Sequence, residues 1–246
     1  FIYLHLAVAI DAASKLQRQE IDGRLGDYLL GATLPDAHII RGGSREQTHF
    51  LSLDAGPAET GVTSFLKTYP DLIQEATRHQ AGVMVAGYLC HLVTDEAWIR
   101  DIYRPCFGAG SPLGDDPLVR LMDRALQYEM DMREQQDTSS SRVRELVCNW
   151  DTSTDVSFID SATLRQWQQV VCRAATRKSS WEGFRGFASR FLVPRSALSA
   201  EQLERFLASP SATLERILSV VTEARLSQFR NNAVANAVAA AREYLC

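Results

Sequence analysis

The chain has 246 residues, 46% of them apolar and 23% charged, with 26 Lys plus Arg against 30 Asp plus Glu and a net charge of −4. That length holds one large domain or two small ones with a substantial core. The mild negative balance argues against a sequence-independent nucleic-acid binder, and no apolar run reaches the roughly 18 residues that a bilayer span needs.

Apolar residues recur with helical spacing almost everywhere and strand-like alternation is scarce, which predicts an all-α fold. The opening FIYLHLAVAI lacks a basic leader and carries His5 in its middle, so it reads as a core helix over 2–19 and not as a signal peptide. A short helix over 25–32 follows, then a loop over 34–61 punctuated by Gly42, Gly43, Gly56 and Pro57. Loops that long inside compact domains usually have a task, and this one carries Asp36, His38 and His49. Pro35 is expected to hold Leu34 extended.

A long helix is predicted from Asp71, as N-cap, to Arg104, stopped by Pro105. Further helices are expected over 118–135, 142–147, 162–177, 181–191 and 200–208, with a long last one over 212–244. Residues 149–160 read as loop. No internal repeat or linker stands out, so 1–246 reads as one helical domain. Trp150, Trp167 and Trp181 are expected in the core or at its rim, and Glu129, Asp131 and Glu134 on a solvated face. Five cysteines (Cys90, Cys106, Cys148, Cys172 and Cys246) are odd in number and widely spaced, with no C-x-x-C. This predicts reduced thiols in a cytoplasmic protein and excludes a thiolate zinc knuckle.

The chemistry concentrates in GYLCHLVTDEAWIR. His91 and Asp95 lie four residues apart, one above the other on a helix face otherwise apolar at Met84, Gly87, Tyr88 and Trp98. A core histidine bonded to an i+4 carboxylate explains any one such pair; a shared metal ion is the alternative. Gly87 sacrifices about 1 kcal/mol of helix propensity, which suggests that something approaches the helix backbone closely there. Glu96 points about 100° away from Asp95 and takes no catalytic role. His5, flanked by leucines, Asp36 in LPDAH and His49 in QTHF each admit an ordinary reading as core, turn or loop residues.

In this order, His, then P-D, then T-H, then H-x-x-x-D on a Gly-containing helix, the first 100 or so residues resemble the zinc-dependent phospholipase C and P1 nuclease superfamily. The resemblance implies an all-α domain with a buried metal site in which His5, Asp36, His49, His91 and Asp95 are ligands and Asp95 bridges two ions. It also implies a hydrolase in which metal-activated hydroxide attacks a phosphodiester or phosphomonoester. The substrate would be a small or lipid-like molecule. That family adds later histidine and glutamate ligands to complete a three-metal cluster, and here no histidine follows His91, so a complete cluster is not expected. One or two ions are therefore expected and three are not.

Independently of the resemblance, three imidazoles and two carboxylates suit zinc, with iron or manganese as alternatives, better than calcium or magnesium. Arg41, Arg45, Arg100 and Arg104 flank the ligand segments and could face a phosphate, though solvation is the default for each. His79 is expected outside the cluster. HD-type phosphohydrolases are disfavoured because no histidine here precedes an aspartate, and only Glu46 to His49 supplies the E-x-x-H element that ferritin-like sites need twice. A non-hydrolytic metalloenzyme with the same ligands (an oxygenase, lyase or cyclase) and a non-catalytic helical binding protein remain open.

Overall fold

A computed structural model describes residues 2–52, 60–75, 79–116, 118–137, 140–150, 156–195 and 198–246. Helix α1 spans Ile2–Leu16, α2 Leu25–Gly31, α3 Gly61–Thr68, α4 His79–Trp98, α5 Val119–Asp137 and α6 Ser140–Cys148. The second half supplies α7 Ser161–Thr176, α8 Trp181–Phe187, α9 Ala200–Leu207, α10 Pro210–Leu218 and α11 Glu223–Tyr244. No strand occurs among the described residues, where the only β pairing is an isolated bridge between Val156 and Ile159. The fold is all-α, and no described helix is long and apolar enough to cross a membrane.

Helix α4 is the axis. From Ala81 to Leu92 its described residues are all buried, as expected of a helix apolar on every side. It packs against α11, α2 and α1. The α2 contact is the closest: a Cβ on Gly87 would lie 2.1 Å from the Tyr28 carbonyl oxygen, and one on Gly31 would lie 2.1 Å from that of Met84. The close approach that Gly87 suggested is therefore real, and it involves a second glycine on the facing helix. Trp150 and Trp167 are buried as expected, their indole N–H groups donating to Asp27 Oδ1 (2.7 Å) and Thr33 Oγ1 (3.1 Å), and Trp181 packs half-buried against the core.

Several boundaries differ from the sequence expectation, each for a local reason. The 34–61 segment is not plain loop: a 3₁₀ turn covers Leu34–Ala37 and single helical turns cover His38–Arg41 and Glu46–His49, while 53–59 lie outside the described residues. Pro35 sits in the first turn of the 3₁₀ segment, where its missing N–H leaves no acceptor unsatisfied, so Leu34 joins the turn instead of staying extended. Pro105 does not end its helix, because α4 passes through a π-type stretch at Ile99–Tyr103 and resumes as a turn over Arg104–Phe107 with the proline in its first turn. The predicted 212–244 helix is two. The β-branched run Val220-Val221-Thr222 interrupts it, and the Thr222 side chain caps α11 by accepting from Arg225 N.

The cysteine reading is corrected as well. Cys148 at the end of α6 and Cys172 on α7 form a disulfide, leaving Cys90, Cys106 and Cys246 free. The two helices pack together, which brings residues 24 positions apart into bonding range; spacing alone does not reveal that. Disulfides belong to oxidising environments, so the argument from cysteine count to a reducing compartment falls. Closing a loop of this size stabilises by between about 3 and 4 kcal/mol on chain-entropy grounds. Alkylation of the denatured, unreduced protein is expected to label only the three free thiols, and full labelling without reductant would restore the all-thiol reading.

Candidate metal centre

All five predicted ligands meet beside α4. His91 is fully buried, with its Nδ1 2.9 Å from the Ala32 carbonyl oxygen. The α2–α4 crossing at Gly31 and Gly87 puts that carbonyl there. An Nδ1–H donated to Ala32 leaves the Nε2 lone pair aimed into the centre. His49 is held in the same manner: its Nδ1 lies 3.1 Å from the Arg45 carbonyl oxygen and 3.0 Å from Thr48 Oγ1. Tyr88, one turn before His91 on α4, fixes that turn from behind by donating its hydroxyl to the Thr48 carbonyl (2.6 Å). Phe50, the next residue, has φ 55, a left-handed conformation costly for a side chain with a Cβ and held here by ring contacts to Phe65 and Tyr69.

His5 reaches the site from α1, its ring stacked on that of His91 at 3.8 Å between centroids. The start of α1 is anchored by Asp131 of α5, which accepts from Leu4 N at 2.8 Å. Asp131 is buried, and its neighbours Glu129 and Glu134 pair with Arg133 and Arg230, so the expectation of a solvated face is corrected. The signal was absent from the sequence because the groups Asp131 caps are backbone amides 127 positions away.

Asp36 and Asp95 close the ring of donors. His49 Nε2 lies 3.5 Å from Asp36 Oδ1 and 3.3 Å from Asp95 Oδ2, while His5 Nε2 lies 3.3 Å from Asp95 Oδ1. Ligand atoms of His5, Asp36 and His91 fall within 4.8 Å of one another, as do those of His49, His91 and Asp95. His91 belongs to both triads and offers one outward nitrogen.

Two observations test whether this donor set fits a cation. The Nε2 atoms of His49 and His91 are only 3.1 Å apart, although each ring already has a carbonyl acceptor at its Nδ1. In their neutral forms both would therefore point lone pairs at one spot, an arrangement that a proton or a metal relieves. His5 Nδ1 is buried with no hydrogen-bond partner among the described residues. The residues fit a transition metal.

The electrostatics agree. Burial pushes the Asp95 carboxyl up, but the Arg45 guanidinium and hydrogen bonds from His49 and His5 more than reverse this and hold it well below the usual carboxylate range. Asp36 is also held well below that range, burial being outweighed by its His49 hydrogen bond and nearby imidazole charge. Burial and then the neighbouring His5 drive His91 well below an ordinary histidine. For His49, burial is overcome by the two carboxylates and its affinity for a proton is raised. A metal ion held here would therefore compete with a proton for His49. Since its pKa lies above the ordinary 6.5, zinc affinity is expected to fall by about tenfold per pH unit as pH drops below that raised value. Calorimetry at about pH 6 and pH 8 checks it through the proton released per ion, and a pH-independent affinity would contradict it.

The remaining expectations divide. Arg45 is no solvated bystander: it pairs directly with Asp95 Oδ2. Arg100 is exposed beside Asp101, and Arg41 is exposed at the mouth of an adjacent cavity. His38 packs edge-on against His49 at 5.5 Å but belongs to neither triad, which separates the two loop histidines. Glu96 accepts from Gly61 N at 2.5 Å, tying the start of α3 to α4. The His79 side chain lies outside the described residues. Comparison of the chain with protein-family models, with curated proteins and with solved structures gives no match, so the centre stands on its own residues.

Proposed function

We propose that the chain is a metal-dependent hydrolase of phosphate esters, holding one or two transition-metal ions, zinc foremost, on His5, Asp36, His49, His91 and Asp95. The observation that carries this reading is the convergence of the outward His49 and His91 nitrogens with both carboxylates, each ring fixed from behind by a backbone carbonyl. An ion bound there would lower the pKa of a coordinated water toward about 7 and polarise a phosphoryl oxygen.

The chain's own groups do the rest. The Ala32 and Arg45 carbonyls fix the two imidazoles, so no reorientation is needed when a ligand arrives. Arg45 lies against Asp95 with about a quarter of its side chain exposed, where its guanidinium can also meet a phosphate oxygen as a second anion. His91 would hold an ion through its Nε2 alone, because its Nδ1 is committed to Ala32.

The test is hydrolysis of phosphodiester and phosphomonoester model compounds before and after chelation. Activity should vanish with the metal and return with zinc, with one or two ions per chain by elemental analysis. Activity persisting after complete metal removal would defeat the proposal, and a protein that holds metal but cleaves no phosphate ester would move the reading to non-hydrolytic chemistry.

A further inference from the structure

Next to the centre, lined by chain neighbours of its proposed ligands and not by the ligands themselves, is an open cavity of about 300 Å³. Its residues interleave with the proposed ligands: Ala37 and His38 follow Asp36, and Thr48 precedes His49. Its far wall is aromatic. Phe50, Tyr69 and Phe158 are half-buried there, packed around Tyr88 and the fully buried Phe65. The ring contacts form a herringbone: Phe65 stacks on Tyr88 at 4.6 Å, Phe158 meets Tyr88 edge-on at 5.2 Å, and Phe50 meets Phe65 edge-on at 5.3 Å.

The lining is mixed: His38, Arg41, Gln47 and Thr48 face the aromatic side, and some of these polar groups are already engaged. The Tyr88 hydroxyl is used on Thr48, so Tyr88 presents carbon to the cavity. His38 Nδ1 is bonded to the Pro35 carbonyl at 3.1 Å. Arg41 at the rim makes no hydrogen bond or ion pair among the described residues, unlike Arg45, which is held by Asp95. A half-exposed herringbone offers one more edge-to-face position, and a cation above it favours a π-face over an alkyl chain. The volume sits at the low end for ligand pockets, so the part enclosed is a single ring.

We infer that this cavity binds the aryl group of the substrate, so that the substrate is an aryl phosphate ester with its ring against Phe50, Tyr69 and Phe158, beneath Arg41, and its phosphate at the metal centre. This rests on the phosphate-ester reading above. In the reaction the bond between phosphorus and the aryl oxygen breaks and one to a water oxygen forms; the water's proton goes to the departing phenol, and nothing is oxidised or reduced.

Two binding measurements separate this inference from the reading it rests on, and neither needs turnover. First, the zinc-loaded protein is titrated with phenylphosphonate and methylphosphonate, whose P–C bonds resist hydrolysis. The phenyl compound is expected to bind at least about tenfold more tightly, equivalent to about 1.4 kcal/mol. Phe158→Leu, which keeps apolar bulk, should remove most of that preference while leaving methylphosphonate unchanged, and Arg41→Gln, at an exposed side chain, should reduce it without risk to folding. Equal affinities in the wild type would overturn the aryl site and leave the phosphate reading standing.

Second, benzyl alcohol, which carries no anion, is followed by NMR with and without zinc. Its binding to the wild type and loss in Phe158→Leu supports the ring site even if both phosphonates fail, in which case it is the phosphate reading that falls. No binding of benzyl alcohol to the wild type overturns the inference.

Discussion

His91→Ala is expected to lower zinc affinity by at least about 100-fold, so that the variant emerges from dialysis without metal. Loss of a group that merely supports a metal ligand typically costs 10- to 100-fold, and His91 is itself the donor common to both triads. The substitution also strands the Ala32 carbonyl and leaves a cavity where a fully buried ring stacked on His5. A stability loss of about 2–4 kcal/mol should accompany it. Loss of fold could mimic loss of a ligand, so near-ultraviolet circular dichroism and a melt in chelator belong beside the elemental analysis. His38→Ala supplies the contrast, since His38 touches His49 but lies in neither triad and its removal should leave the metal in place. A folded His91→Ala protein that retains stoichiometric zinc would refute the ligand assignment.

Much of this centre is legible in the sequence. The i, i+4 spacing of His91 and Asp95 is a property of one helix, and the apolar surroundings of His5 mark it as buried. The family resemblance brought Asp36 and His49 into the same set, and the structure gathers the five into two triads that share His91. The groups that position them were not legible. Asp131 looks like one member of a charge run, yet it caps α1. Arg45 looks like a solvated loop cation, yet it neutralises Asp95. Each partner lies on another element, and no period along the chain records that. The disulfide escaped for the same reason, because its pairing depends on α6 lying against α7. The helix break after Leu218 was readable in principle from Val220-Val221-Thr222, but the apolar spacing on both sides masked it.

Gly87→Ala is the second large effect, and the sequence hint and the structure jointly define it. In an isolated helix the change would stabilise by about 1 kcal/mol. Here the added Cβ would stand 2.1 Å from the Tyr28 carbonyl oxygen and 2.9 Å from Ala32 N. Both are backbone atoms of the opposing segment, and they are already engaged with each other, Ala32 N donating to Tyr28 O at 2.9 Å. No side-chain rotation relieves the clash, so α2 and α4 must separate. Overpacking of this kind costs about 1–3 kcal/mol and sometimes more. With backbone atoms at 2.1 Å the cost falls at the top of that range, so a net loss of about 2 kcal/mol remains once the propensity gain is subtracted, lowering Tm by about 4–8 °C in a chain of this length. Separation also draws the Ala32 carbonyl away from His91 Nδ1, freeing the imidazole to rotate. Zinc affinity should therefore fall by about 10- to 100-fold although no ligand has been touched. Gly186→Ala provides the control: it is an exposed helical glycine whose Cβ would meet nothing within 4 Å, and alanine there should raise stability by about 0.5–1 kcal/mol and leave zinc binding unchanged. Thermal melts and zinc titrations of the two variants decide the matter. A Gly87→Ala protein as stable as the wild type and equal to it in zinc affinity would show that the α2–α4 crossing does not set the geometry of the centre.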